Sequence, residues 1–167
     1  IPSPEGVTRL AIDSDQRQVY GADARGTIYW WELSEEGIRH PLASETGSPI
    51  SALSLLVGGR SVVVGHGDGS LSIWFRVRTG RAHSELVRAH VLESQGAAIR
   101  SIAPSWRKRS FAALGEDGEI GLYHTTSERT LWRGSAPAGG VPAAALAPRG
   151  DALFLASPSG VSAFAVR

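Results

Sequence analysis

Four glycines, Gly26, Gly69, Gly118 and Gly160, each stand nineteen residues beyond an apolar residue, Val7, Ile50, Ile99 or Val141. A spacing that recurs four times constrains the fold more tightly than composition does. A unit this short cannot bury an apolar face alone and must stack on its neighbours. The glycines lie 43, 49 and 42 residues apart, which sets the repeats at approximately 7–49, 50–98, 99–140 and 141–167, all within one domain or fragment.

Each copy has the same interior. An alternating apolar stretch (Val7 to Ile12, Ile50 to Leu55, Ile99 to Ala103, Val141 to Leu146) runs into a polar break at Asp13 to Gln16, Gly58 to Arg60, Arg107 to Arg109 or Arg149 to Asp151. Alternation has the period of a half-buried strand, and the break reads as a hairpin turn. A second run of four follows, Val19 to Ala22, Val62 to Gly65, Phe111 to Leu114 and Leu153 to Ala156, too short for a helix and rich in strand formers. The marked glycine then closes a second turn. Asp68 and Asp117 make it Asp-Gly in two copies, a pair suited to a tight hairpin that needs positive φ. After it a third strand alternates, as in Thr27-Ile28-Tyr29-Trp30-Trp31 and Ser70-Leu71-Ser72-Ile73-Trp74.

Five residues past the glycine stands a large ring, Trp31, Trp74 or Tyr123; in the fourth copy Phe164 comes one residue early. A one-residue deletion there keeps Val161 in the slot of Ile28, Leu71 and Ile120. The recurrence predicts that these rings fill the space between neighbouring sheets.

Gly67-Asp68-Gly69-Ser70-Leu71-Ser72-Ile73-Trp74 and Ala145-Leu146-Ala147-Pro148-Arg149-Gly150-Asp151 resemble WD40-like repeats. The resemblance implies an all-β fold: a partial or small β-propeller of four WD40-like blades, the last incomplete. The period agrees, at about 40–45 residues per blade. Outer strands are expected near Gly37 to Leu42, Ala82 to Arg88 and Arg129 to Trp132, with none after the fourth copy. The chain departs from the family in having no Gly-His pair ahead of a first strand and no Trp-Asp at the end of a third. That leaves no residues at those places for the buried hydrogen-bond network the family builds from them. Four blades are the minimum of the usual range, and an open arc exposes edges that seek pairing. A homodimer through open blade edges is therefore an expectation. A first residue of Ile and the lack of methionine lead us to expect an excised piece of a larger polypeptide.

No run of about 18 apolar residues is present to span a membrane, and no signal peptide opens the chain. Zero cysteine excludes disulfides and thiolate sites. Sixteen arginines against the single Lys108, with a net charge of +1, reflect a GC-rich genome and give no nucleic-acid signal. Gly65-His66-Gly67-Asp68-Gly69 is followed by strand alternation and lacks the helix a phosphate cradle needs. His40, His66, His83, His90 and His124 occupy different repeat positions without metal-ligand spacing, so surface or loop roles are expected. Glu35-Glu36 and Glu116-Asp117 read as solvated loop charge. No serine-nucleophile elbow occurs. Neither catalytic residues, cofactor nor metal are expected.

One regularity bears on partners. The first hairpin turn carries Arg17, Arg60 and Arg109 at one repeat position, with Arg107 and Lys108 adjoining. The second turns carry Asp23, Asp68, Glu116 and Asp117. Equivalent turns share a face, which suggests a basic face opposite an acidic one, able to meet an anionic partner or lipid headgroups.

Arg60-Ser61-Val62-Val63-Val64-Gly65-His66-Gly67-Asp68-Gly69-Ser70-Leu71 and Tyr123-His124-Thr125-Thr126-Ser127-Glu128-Arg129-Thr130-Leu131-Trp132 also resemble the extra soluble domain of large bacterial phosphate ABC transporter permeases. That resemblance implies a non-catalytic insert of an inner-membrane protein, facing the periplasm. Its partners would be other transporter subunits or a phosphate-binding protein. The alternatives are a cytoplasmic WD40-like interaction scaffold unrelated to transport and a fragment of a propeller enzyme. The enzyme would need polar residues at the inward strand ends, where Thr8, Arg9, Ser51, Arg100 and Ser101 supply no acid–base pair.

Overall fold

The structure is a computed structural model that describes residues 4–13, 17–34, 37–38, 42–81, 83–136 and 143–166. Asp15, Gln16, Glu35, Glu36, His40, Ala82 and Val141 lie outside the described residues. Among the described residues the fold is all-β, in four antiparallel sheets with no helix. The first sheet holds β1 (Val7–Asp13), β2 (Gln18–Asp23), β3 (Thr27–Ser34), the two-residue β4 (Gly37–Ile38) and β5 (Leu42–Glu45). The second is β6 (Ile50–Leu55), β7 (Ser61–His66), β8 (Leu71–Arg78) and β9 (Ser84–Leu92). The third is β10 (Ile99–Pro104), β11 (Ser110–Gly115), β12 (Glu119–His124) and β13 (Thr130–Ser135). The last has three strands, β14 (Ala143–Leu146), β15 (Ala152–Ser157) and β16 (Gly160–Ala165).

The periodic glycines have a physical cause. Gly26, Gly69, Gly118 and Gly160 have φ of 107°, 81°, 86° and 133°, a region that residues with a Cβ avoid. At Gly26 and Gly69 the loop leading to the next sheet also lies close. An added Cβ would sit 2.6 Å from the carbonyl oxygen of Ser48 or Ala97. In three sheets the carbonyl of this glycine accepts a bond from the residue leaving the outer strand: Thr46 N–H at 2.8 Å, Gln95 N–H at 3.0 Å and Ala136 N–H at 2.8 Å. The first strands of the same three sheets are alike too, each carrying a register shift near its start, at Val7/Arg9, Ile50/Ala52 and Ile99/Ser101.

Two strand positions differ from expectation. The outer strand of the first sheet is split, because β4 pairs with Leu33 and Ser34 while β5 pairs with Thr27 to Trp30. The second and third outer strands run further than expected, to Leu92 and Ser135. The fourth sheet confirms the one-residue deletion through its register. Val161 pairs with Ala156 as Ile120 pairs with Leu114, and Phe164 pairs with Leu153 as Tyr123 pairs with Phe111.

Successive sheets stack through their first strands: β6 lies against β1 on one side and β10 on the other, and β10 lies against β14. Apolar side chains fill each junction. Tyr20, Ala22, Ile28 and Trp30 of the first sheet meet Val62, Val64 and Trp74 of the second. Val63, Leu71 and Ile73 meet Phe111, Ala113 and Tyr123, and Ala112, Leu114 and Ile120 meet Leu146, Leu153 and Leu155. Trp74 and Tyr123 therefore lie between sheets, each turned to the sheet before its own. Trp31 is buried on the outer side of the first sheet, stacked on Tyr29 with ring centroids 5.8 Å apart. Phe164 departs from the expectation: beside it β16 has no outer strand, and the ring stays 42% exposed. The sheets do not close into a ring.

Candidate functional site: a basic rim of hairpin turns

The turns joining first to second strands are fixed by backbone bonds. Leu56 N–H donates to Ser61 O at 2.9 Å, Ser105 N–H to Ser110 O at 2.9 Å and Ala147 N–H to Ala152 O at 2.8 Å. The carbonyls of Arg17 and Arg109 accept from Leu33 N–H at 2.7 Å and Thr125 N–H at 2.8 Å. In the third turn the Ser105 hydroxyl accepts from Lys108 N–H at 3.1 Å, which spends the polar groups at the base of the turn and leaves its tip to solvent. Arg17, Arg60, Arg107, Lys108 and Arg109 are all exposed.

Two grooves run between the sheets at this rim. The first, about 540 Å³, is lined by Gln18, Arg60, Ser61, Phe75 and Arg76. Here Arg76 is held in place: its guanidinium lies 4.6 Å over the Trp30 ring, and its Nη1 donates to Ser84 Oγ at 3.0 Å. The Trp30 indole donates in turn to Gln18 Oε1 at 3.1 Å. Tyr20 ties the sheets together below the groove, donating its hydroxyl to Arg60 O at 3.1 Å, and burial pushes its phenol up to about 12. The second groove, about 340 Å³, brings Arg109 near Val57 and His90. His90 Nδ1 lies 2.7 Å from Glu128 Oε1. Further along the rim, a Cβ added to Gly150 in the next turn would lie 3.2 Å from Lys108 Cδ. Arg17 and Arg107 line neither groove.

Neither a protein-family model nor a curated protein matches this chain.

Sequence reasoning missed two members of the rim. Arg76 sits at the exit of a third strand, where no repeat position drew attention to it, yet it converges with Arg60. Trp106 is 67% exposed, directly before Arg107, Lys108 and Arg109. It is a large ring placed in a turn instead of a strand, and that was its signal. Two arginines lining one open groove favour an oxyanion, carboxylate or phosphate, which arginine engages through paired donors. An exposed indole beside three cations adds an apolar contact to the same rim.

The opposite corners of the sheets correct two expectations. Asp23 is not a solvated turn charge: it is 1% exposed. Its Oδ1 accepts from the N–H groups of Arg25, Gly26 and Thr27 at 2.9, 3.0 and 2.9 Å, and its Oδ2 from the Tyr29 hydroxyl at 3.1 Å. Burial acts to raise its pKa, but the bonds from Thr27, Tyr29 and Arg25 outweigh it and hold the carboxyl below the usual range. His66, expected on the surface, is 3% exposed. Its Nε2 lies 2.8 Å from Ser72 Oγ, which also accepts the Trp74 indole N–H at 2.8 Å. Burial lowers its pKa, against the opposing pull of the Ser48 carbonyl and Asp68. In the third sheet Gln95 enters the corresponding corner, donating to Tyr123 Oη at 2.9 Å and Ala113 O at 3.3 Å. Asp68 and Asp117 do remain exposed, each accepting a backbone N–H two residues on, from Ser70 or Glu119 at 2.9 Å. Among the described residues no group of three His, Cys, Asp or Glu is placed to hold a metal ion, and no helix is long and apolar enough to cross a membrane.

Proposed function

We propose that the chain is a non-catalytic module of β-propeller type, four WD40-like blades in an open arc, whose basic rim seats an acidic surface of a protein partner. The observation that carries this reading is the convergence of Arg60 and Arg76 on one groove, with Arg109, Lys108 and Trp106 further along the same rim. Such a rim is a platform. The buried polar groups that a catalytic reading would draw on, His66 and Asp23, are spent on hydrogen bonds that close the corners of sheets.

Two stretches resemble the soluble domain of phosphate ABC transporter permeases. They favour placing the module in such a permease, on the periplasmic side of the inner membrane, with the binding protein or another subunit as partner. The arginines would then recognise partner carboxylates and would not carry phosphate. The test is phosphate uptake by cells whose parent gene carries Arg17→Glu, Arg60→Glu and Arg109→Glu together. Reduced uptake with normal protein level in the membrane is expected. Unchanged uptake refutes the rim, and a parent gene without hydrophobic segments around this region refutes the transporter placement.

A further inference from the structure

The first and last sheets each turn one face away from the other described sheets, the first with Leu10 and Ile12 exposed beside the buried Tyr29 and Trp31, and these faces are the two halves of a junction the molecule already forms three times. In the first sheet the pairings Leu10↔Gly21, Ile12↔Val19 and Val19↔Trp31 put Leu10, Ile12, Val19 and Trp31 on one face. Their equivalents 43 residues on are Leu53, Leu55, Val62 and Trp74, all in the core between the first and second sheets. Each later sheet turns this face to its predecessor, and among the described residues no sheet stands before the first. Leu10 and Ile12 are consequently 61% and 59% exposed.

The fourth sheet has the converse deficit. Its register puts Ala145, Phe154, Ala156 and Val161 on one face, whose equivalents Ala103, Ala112, Leu114 and Ile120 pack against the next sheet. Among the described residues no further sheet covers it, and Val161 is 72% exposed. The strand pairs extend the face to Ala143, Ala163 and Ala165, with no charged side chain among these positions. The one surface is large and branched and the other mostly alanine, a fit of bulky side chains to small ones.

We propose that a second copy of this chain covers both faces at once: the fourth sheet of one protomer stacks on the first sheet of its partner, and the reciprocal contact closes a two-fold ring. The inference rests on the propeller reading above. Propellers close with about 4 to 8 blades. The four described sheets do not meet, and two copies together supply eight, within that range. Area favours reciprocity. A three-stranded face of six-residue strands projects roughly 14 Å by 20 Å. One junction then buries about 560 Å² in projection, which is crystal-contact size, whereas two bury about 1,100 Å², near the lower bound of specific interfaces. Two-fold symmetry supplies both together.

Sedimentation velocity on the purified chain, from low to high micromolar, tests this. The expected species has twice the chain mass. Leu10→Glu spoils the predecessor-facing surface and Val161→Glu the successor-facing one. Each is expected to raise the apparent dissociation constant at least tenfold while the circular dichroism of the monomer is unchanged. Ala145→Glu, on the same face as Val161, guards against a local misfold. Mixing the Leu10→Glu and Val161→Glu proteins is the decisive step, because a dimer with one of each keeps one intact junction. Partial recovery of association on mixing is expected.

Pairing of like faces, or of open strand edges, gives no such recovery and overturns the proposal. So does a wild-type chain that stays monomeric, a dimer indifferent to both substitutions, or a mass that keeps growing past the dimer. The rim substitutions Arg17→Glu, Arg60→Glu and Arg109→Glu are expected to leave the dimer intact. A monomer that still binds its partner through the rim therefore refutes the closure and leaves the platform reading standing.

Discussion

Replacing Asp23 by alanine removes a carboxylate that accepts from four donors, of which the Gly26 N–H keeps a second bond, to the Asp23 carbonyl at 3.4 Å. Of these, the Gly26 N–H and the Tyr29 hydroxyl are wholly buried, while the N–H groups of Arg25 and Thr27 are partly reached by water. A buried donor left without a partner costs about 1–3 kcal/mol. With partial relief from entering water, the loss should come to about 2–4 kcal/mol, a large share of the 5–15 kcal/mol typical of a domain. Equilibrium urea unfolding should show a lower midpoint at unchanged slope. The control is Asp117→Ala at an exposed turn, where the carboxylate accepts from the Glu119 N–H at 2.9 Å; a surface change of this kind stays within about 0.5 kcal/mol. A double-mutant cycle with Tyr29→Phe should find the two side chains coupled. The pH dependence has a definite sign. The Asp23 carboxyl titrates below its ordinary value in the fold, so its contribution is complete above the unfolded carboxylate range and is lost as pH falls through the depressed folded value. Asp23→Asn should flatten that acid limb. Equal losses for Asp23→Ala and Asp117→Ala would refute the reasoning, because burial and the number of donors held separate the two sites.

Two further outcomes follow from the same corners. Gly69→Ala and Gly96→Ala both force a Cβ into positive φ, at 81° and 82°, for about 1–2 kcal/mol each. Only Gly69 also meets a carbonyl oxygen at 2.6 Å, whereas nothing lies within 4 Å at Gly96. Gly69→Ala should melt distinctly lower, and equal melting temperatures would refute the close approach. Burial depresses the His66 pKa, so the unfolded chain takes up the proton first. Stability should fall as pH drops from the ordinary imidazole range to that depressed value and then level off. His66→Gln should remove this slope in urea midpoints measured around and below neutral pH; a slope that survives the substitution assigns it elsewhere.

The first strands were legible because small polar residues interrupt their apolar ones, as in Ile-Ser-Ala-Leu-Ser-Leu of β6, and the second strands because they are short apolar runs, buried almost throughout in β7 and β11. The marked glycines were legible because backbone geometry admits no other residue cheaply. The rim arginines could be named as turn residues, since turns are polar, but the groove could not. Arg76 lies 16 residues from Arg60 in a different strand, and only the stacking of the first sheet on the second brings Gln18 to the same place. The misplacement of Asp23 and His66 had a simpler origin. Both stand three residues before a marked glycine, and both were assigned to the turn when they end the second strand. Their equivalent is Gly115, and the shared offset was the available signal.

That offset places a buried polar corner at the same point of three sheets, built from different residues in each. The register aligns Asp23, His66 and Gly115 opposite Val7, Ile50 and Ile99, and three residues past the marked glycines stand Tyr29, Ser72 and Gly121. The first sheet joins acid to phenol and the second imidazole to hydroxyl and indole. In the third, both positions are glycine. A Cβ on Gly121 would lie 2.6 Å from Gln95 Nε2, and one on Gly115 3.4 Å from Gln95 Oε1. The two missing side chains make the space that Gln95 fills from the preceding loop. The corner thus requires a donor and an acceptor in a sealed place and does not require particular residues. Backbone geometry and the ring at the end of the third strand are held more tightly than the polar pair, and so those were the features that remained readable.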